Sequence, residues 1–287
     1  MSRGRSVEFI GIGFQRCSSS WLHAALSEHP QIGKPARGLH FFSEDENYEK
    51  GESWYLDQFD RFSDRKALVE LSVSYGYPEK FEKVIDRIKT VLPDVKIFCV
   101  VRNPIDRAYS EFRRSRQFAE AGAGGFMEVI LDNEEYYLRR GLYGQVLAKY
   151  CEAFPGNVKV FFYDDLMKDP ASYIKEIYGY LDIEAEFVPS VLTAPKGSAL
   201  EVRSVNAQRL IRKIQRSASF GFRSNGMGFF LDMAKATGIP QLIVNANTRA
   251  SRSELDGAAK AFLLDYYAED LALLSSITGT DLSGWLR

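Results

Sequence analysis

The sequence predicts an α/β protein built on a central, mainly parallel sheet flanked by helices. Three observations lead there. Apolar runs of strand length, rich in Val, Ile and Phe, occur near residues 7–12, 66–73, 95–101 and 158–163. Segments with apolar residues at three- and four-residue spacing separate them, so each return to the sheet crosses over a helix, as parallel strands require. The first strand also ends in Gly11 and Gly13, passes through a short polar loop and opens into a helix, and parallel sheets bind ligands at the carboxyl ends of their strands.

That first unit, VEFIGIGFQRCSSSWLHAAL over residues 7–26, organises the rest. Ser18, Ser19 and Ser20 sit where a helix has unpaired N–H groups and a dipole that favours negative charge, and Arg16 adds a full positive charge. The turn reads as a phosphate or sulfate site, or as simple helix capping. A nucleoside-triphosphatase loop would need Gly-Lys-Ser/Thr, which is absent. A phosphatase-type loop would need Arg six positions after Cys17, where His23 stands. Cys17, beside Arg16, reads either as an activated thiolate or as a small loop-filling residue.

Further along, residues 35–43 (PARGLHFFS) suggest a short buried segment carrying Leu39, Phe41 and Phe42, interrupted by His40. A lone histidine among aromatics is either a core residue or a catalyst. Residues 48–59 read as a loop and a short helix with Trp54, Tyr55 and Phe59 on its apolar side. The second strand carries a carboxylate, Glu70, near its end. A turn through Tyr75, Tyr77 and Pro78 leads to an amphipathic helix over 81–91, then to the strand 95–101 ending at Arg102. Asn103 is placed to cap the next helix, with Pro104 at its first position. Arg102 and Ser110 could converge on one anion, while Arg107, Arg113, Arg114 and Arg116 cannot share a face and read mostly as solvated surface.

The Ala/Gly-rich stretch 119–125 reads as a mobile loop or insertion bordering a substrate entrance. Helical spacing is expected over 138–154, a strand over 158–163, and a helix from Pro170. Residues 192–204 are loop-like and offer Lys196, Gly197 and Arg203 to an anion. A basic helix over 205–217, an aromatic and Gly-rich segment over 220–230 read as a lid or as packing, and a helix over 254–277 complete the chain, with no internal repeat.

Composition bounds the function. At 287 residues and 45% hydrophobic content, the chain can bury a substantial core. Its 37 Lys+Arg balance 38 Asp+Glu at a formal charge of -1, which supplies no overall basic field for nucleic acid or an anionic membrane. Any anion site must be local. Residues 1–5 lead straight into a strand without a signal-peptide core, and no later run approaches a membrane span, so a soluble chain is expected. Three widely spaced cysteines, Cys17, Cys99 and Cys151, form no metal-spaced pair and point to a reducing compartment, the cytoplasm.

Four separated stretches together resemble the sulfotransferases that use 3′-phosphoadenosine 5′-phosphosulfate, particularly their bacterial and heparan-type branch. GFQRCSSSWL is similar to that family's 5′-phosphosulfate loop, and VVRNPIDRAYSEF to its 3′-phosphate motif, with HFFSEDENYEKGESWYLDQF and DLSGWL in support. The resemblance implies a P-loop-type three-layer fold and a single sulfotransferase domain over 1–287, with 119–135 and 218–250 as an acceptor-side insertion or lid. It places Arg16 on the bridging oxygen, Cys17, Ser18, Ser19, Ser20 and Trp21 around the 5′-phosphate, Arg102 and Ser110 on the 3′-phosphate, and Lys196, Gly197 and Arg203 in a covering loop. The implied partners are the nucleotide donor and a small-molecule or carbohydrate acceptor, with no metal required.

Two departures stand out. Ser18 replaces the family's Gly, so the loop must accept a Cβ where φ could be positive. Gly38 stands where the heparan-type enzymes carry their catalytic Glu. His40, titrating near neutrality, is then the first choice of base and Glu70 the second, in its own right or as an orienting group. A binding protein that lost catalysis and an ATP- and magnesium-dependent kinase remain as rival readings.

Overall fold

The computed structural model describes residues 6–117, 125–192, 200–202, 248–250 and 257–286. Met1–Arg107, Leu138–Pro195 and Ala261–Arg287 form one compact unit, and Ala108–Tyr137 with Lys196–Lys260 a second. The expected residues Lys196, Gly197 and Arg203, the basic helix over 205–217, the segment 220–230 and most of the stretch 119–125 lie outside the described residues.

In the first unit, strands β1 (Phe9–Ile12), β2 (Ile32–Gly33), β3 (Ala67–Ser72), β4 (Lys96–Val101) and β5 (Val158–Phe162) form one sheet in the order β2-β3-β1-β4-β5. Every neighbouring pair is parallel. The expected α/β sheet is therefore present. Its central strands are buried along nearly their whole length, which is why they read as continuous apolar runs rather than alternating ones. Because β1 lies between β3 and β4, the loop that leaves β1 is flanked by the carboxyl ends of both.

Helices alternate with these strands: α1 (Ser19–Glu28), α2 (Asp45–Tyr48), α3 (Gly51–Asp57), α4 (Phe81–Val91) and α5 (Pro104–Gln117), then α6 (Phe126–Asp132), α7 (Glu134–Tyr137), α8 (Tyr143–Ala153), α9 (Tyr163–Lys168), α10 (Pro170–Tyr180) and α11 (Gly257–Thr278). Asn103 caps α5 as expected, its Oδ1 accepting the Ile105 N–H at 2.9 Å, with Pro104 at the first position. Asp169 does the same for α10, accepting the Ala171 and Ser172 N–H groups. The last stretch, DLSGWL, returns to this edge of the sheet. Trp285 donates its indole N–H to Asp164 at 2.7 Å, and its carbonyl accepts from the Asn103 amide at 3.2 Å.

Two expectations are corrected. The helix anticipated over 138–154 begins only at Tyr143, after a separate 3-10 turn, Arg139–Gly141. Leu142 leaves the helical region, and the buried Asp270 carboxylate of α11 accepts the Gly144 and Gln145 N–H groups, so α8 starts on a borrowed N-terminal cap. Arg107, read as surface, is fully buried among Tyr143, Tyr267 and Cys17. The phenols supply the polar surroundings that let a guanidinium leave water, a compensation that helical spacing cannot reveal.

In the second unit, Tyr109 and Phe112 of α5 pack edge-on against Phe126 of α6, and the Tyr136 hydroxyl donates to Glu111 at 2.8 Å. A two-stranded antiparallel ribbon pairs β6 (Leu200–Val202) with β7 (Thr248–Ala250).

Candidate functional site

A cleft of about 370 Å³ opens at the carboxyl ends of β1, β3 and β4. The β1–α1 loop and the start of α1 supply Gly13, Phe14, Cys17, Ser19, Ser20 and His23 to its lining; the segment before α2 supplies Arg37, Gly38 and His40. Two of the expected groups, the α1 N-terminus and His40, thus share one cavity. Arg16, Ser18 and Trp21 shape the loop without lining the cleft, and Trp21 packs against Tyr173 at 6.2 Å.

The loop turns into α1 through left-handed backbone. Ser18 does adopt a left-handed conformation, φ 61 and ψ 19, and makes no side-chain cap, since its Oγ donates instead to the Cys17 carbonyl at 2.6 Å. The capping reading therefore fails for this serine. Arg16, at φ 70, is left-handed as well. Such backbone costs a residue with a Cβ roughly 1–2 kcal/mol, and is kept where surroundings over-determine it. Cys17 is buried and touches the Tyr143 hydroxyl at 3.6 Å, and burial pushes its thiol up from the ordinary value. It fills the loop; it is not an activated thiolate.

Arg102, at the end of β4, stands close by, since its main-chain N–H and its charge both act on the Cys17 sulfur. Its guanidinium lies 4.5 Å from the Tyr163 ring, and its closest carboxylate, Asp106, is 3.9 Å away. Its buried Nε has no hydrogen-bond partner among the described residues. An orphaned, buried guanidinium donor beside a phosphate-type loop fits an anionic ligand. Ser110, also expected here, is buried in the part of α5 that belongs to the second unit.

The opposite side is organised by Glu70, which is completely buried and does not line the cleft. It accepts the hydroxyls of Tyr55 (2.8 Å), Ser72 (2.8 Å) and Tyr75 (2.6 Å) and the Leu39 main-chain N–H. Burial raises its pKa against the opposing pull of these donors. Two of the same hydroxyls reach on to the loop: Ser72 Oγ accepts the His40 N–H at 3.0 Å, and Tyr75 Oη accepts the Phe42 N–H at 3.2 Å. Glu70 thus holds three N–H groups of the 39–42 backbone, those of Leu39, His40 and Phe42, one directly and two through hydroxyls. Its expected role as an alternative base is corrected by this placement, because every oxygen is spent on internal donors and none faces the cleft.

Gly38 is explained by the same docking. A Cβ there would lie 2.6 Å from the Leu71 carbonyl oxygen, 2.9 Å from Ser72 Oγ and 3.3 Å from His40 Nε2. No side chain fits unless backbone moves, so the loop's approach to β3 leaves room for glycine alone at this position. The imidazole occupies the adjoining space. His40 is itself left-handed, at φ 51, and its Nδ1 contacts Ser74 Oγ at 2.6 Å. Burial lowers its pKa, with Lys80 adding to that and Glu44 opposing it.

Beside the cleft, His23 rests on Lys34, whose buried Nζ lies 2.9 Å from the ring Nε2 and also donates to Ser27 Oγ and the Pro35 carbonyl. Burial brings Lys34 down to about 8. Neither residue was marked by the sequence, where Lys34 sits in an unremarkable linker.

A parallel sheet whose first strand opens through a left-handed loop into a helix N-terminus, with a guanidinium at the next strand's end, defines a nucleotide- and anion-binding protein of the P-loop type. The sulfotransferase domain family profile matches residues 8–226, and the chain belongs to that family. It is similar to heparan sulfate glucosamine 3-O-sulfotransferase 6 of Homo sapiens, at 27% identity over 190 residues covering 63% of this chain and 54% of that protein. The mouse 3-O-sulfotransferase 3A1 matches at 26% identity over 188 residues, covering 61% and 45%. The chain therefore spans about half the length of the curated relatives it matches. A sulfotransferase from Alicyclobacillus acidocaldarius shares the fold, with a TM-score of 0.70 and 22% identity over 99% of this chain and all of that one.

Two exchanges should act with opposite sign in urea denaturation. Ser18→Gly removes a left-handed Cβ and should stabilise by about 0.5–1 kcal/mol. Gly38→Glu should destabilise by about 1–3 kcal/mol through overpacking against β3, and should not raise activity.

Proposed function

We propose that this chain moves the sulfuryl group of 3′-phosphoadenosine 5′-phosphosulfate to a hydroxyl, or an amine, of an acceptor, with His40 as general base. The observation that carries this reading is the shared cleft: the start of α1 and the His40 imidazole line one cavity, an anion cradle and a proton acceptor within one enclosure. The donor supplies an activated sulfur bonded to a good leaving group. Every remaining task falls to residues of this chain.

In this reading the α1 N-terminus, through the N–H groups at Ser19 and Ser20, holds the 5′-phosphate, and Arg16 neutralises the charge that grows on the bridging oxygen. Arg102 takes the 3′-phosphate, for which its unpartnered Nε is suited. His40 accepts the acceptor's proton at Nε2. Its lowered pKa leaves the ring neutral at pH 7, as a base must be. A cytoplasmic, reducing setting accords with three cysteines that are all free thiols.

Calorimetric titration tests the binding half: adenosine 3′,5′-diphosphate should bind, and more tightly than ATP with magnesium. No heat from the diphosphate would remove the donor assignment. Turnover on a panel of hydroxyl and amine acceptors tests the chemical half, and its absence with every acceptor despite tight binding would leave a nucleotide-binding homologue. Arg16→Ala should cost about 3 kcal/mol of transition-state stabilisation, read as a fall in kcat. The acid limb of kcat/KM should lie below about pH 6.5, the ordinary histidine value, since protonation disables the base only below its lowered pKa.

A further inference from the structure

The left-handed His40 has one ring nitrogen beside Gly38, which lines the cleft, and the other against Ser74, which does not. Nε2 lies 3.3 Å from where a Gly38 Cβ would stand, and Nδ1 lies 2.6 Å from Ser74 Oγ. From there a line of hydroxyls leads out of the protein. Ser74 Oγ is 2.6 Å from Ser43 Oγ, and Ser43 Oγ reaches Glu44 Oε1 at 3.4 Å. Both serines are buried, whereas the Glu44 side chain is 45% exposed and paired with Lys80 at 2.6 Å. Ser43 can also donate to the His40 carbonyl at 3.3 Å, so its hydroxyl has two positions between which to rotate.

We propose that Ser74, Ser43 and Glu44 form a proton relay that carries the acceptor's proton from His40 to solvent. This rests on the reading of His40 as the base. A base working at Nε2 must carry its resting proton on Nδ1, and that proton needs an acceptor. Ser74 Oγ is positioned to be it, and each hydroxyl then donates outward in turn, which gives the chain one direction. An acceptor filling the cleft covers the Nε2 side during transfer, and the hydroxyl line gives the positive charge on the ring an outlet at that moment.

The step balances as follows. The acceptor's O–H bond breaks as its oxygen bonds to sulfur, and that proton joins Nε2. Nδ1 passes its proton to Ser74 Oγ, Ser74 passes its own to Ser43, and Ser43 passes its own to the Glu44 carboxylate, which yields a proton to water. The bond from sulfur to the donor's bridging oxygen breaks with its electron pair leaving on that oxygen. Once the sulfated product leaves and water re-enters the cleft, Nε2 gives its proton to that water, Nδ1 regains one back along the hydroxyl line from solvent, and the two hydroxyls rotate to their starting positions. Ser43, Ser74 and Glu44 are positioning residues, since none touches the reacting atoms.

Three charged groups stand around His40. Glu44, which opens α2, favours the imidazolium, Lys80, which precedes α4, disfavours it, and Arg37 lines the same cleft on the loop itself. Imidazole ¹⁵N shifts in the nucleotide-free protein, assigned with His40→Gln, should show the Nδ1–H tautomer. The His40 titration should move down in Glu44→Gln and up in Lys80→Met. In turnover, His40→Gln should lose on the order of 100-fold in kcat; wild-type turnover in that variant would defeat the base reading itself. With His40 essential, Ser74→Ala and Ser43→Ala should lose roughly 10-fold or more in kcat at an acceptor KM held within about two-fold, and Ser74→Thr should recover it. The wild-type solvent deuterium effect should show a curved proton inventory that becomes linear in Ser74→Ala. Wild-type kcat in both alanine variants, a linear wild-type inventory or an Nε2–H tautomer would overturn the relay while leaving His40 as the base.

Discussion

One buried carboxylate sets the geometry of the whole acceptor side. Glu70 cannot be solvated where it sits, so it must collect donors, and it collects three hydroxyls and a main-chain N–H. Leaving any of them unpaired in the interior would cost about 1–3 kcal/mol. Because Ser72 and Tyr75 pass the interaction on to the His40 and Phe42 N–H groups, the loop has little choice of position. It lies down on the end of β3, closely enough that residue 38 has room for no side chain. The glycine at 38 and the placement of His40 follow from the same contact.

Strain falls where that constraint and the anion loop act. Among the described residues, four that are not glycine hold positive φ, and three of them, Arg16, Ser18 and His40, belong to the two segments that face the cleft. A left-handed residue with a Cβ is costly in isolation and survives only when neighbouring contacts leave no alternative. For His40 the contacts are visible: its N–H is held by Ser72 and its ring by Ser74. Stored strain here accompanies directional hydrogen bonding, and the ring's two nitrogens face different surroundings, Gly38 on one side and Ser74 on the other.

A chain with nearly equal acidic and basic counts can still concentrate charge locally. Positive charge is concentrated beneath and beside the loop. Arg107 is fully buried under it among phenols, Arg102 stands at the adjacent strand end, and both act on the Cys17 sulfur. Charges in a low-dielectric setting act at greater strength than the same charges on the surface. Total charge therefore says little about such a site.

The sequence by itself determined four of the five strands of the sheet, their parallel arrangement, the strand-loop-helix turn at the first strand's end and the cap at Asn103, but not the short β2. These depend on near-neighbour physics: apolar runs, helical spacing, a proline at a first helical position, a polar residue before a helix. It also marked His40 and Glu70 as chemically capable. Only the tertiary structure set His40 in the lining of the cleft and Glu70 outside it, because strand periodicity says which face a side chain takes but not which loop folds over it. Ser43 and Ser74, 31 positions apart, meet at 2.6 Å, and Tyr143 reaches Cys17 across 126. Arg107 was misread as surface for the same reason, since its phenolic neighbours come from α8 and α11. Contacts made at such separations have no local signature; they exist because packing onto one sheet brings distant segments together and leaves each buried polar group to find a partner there.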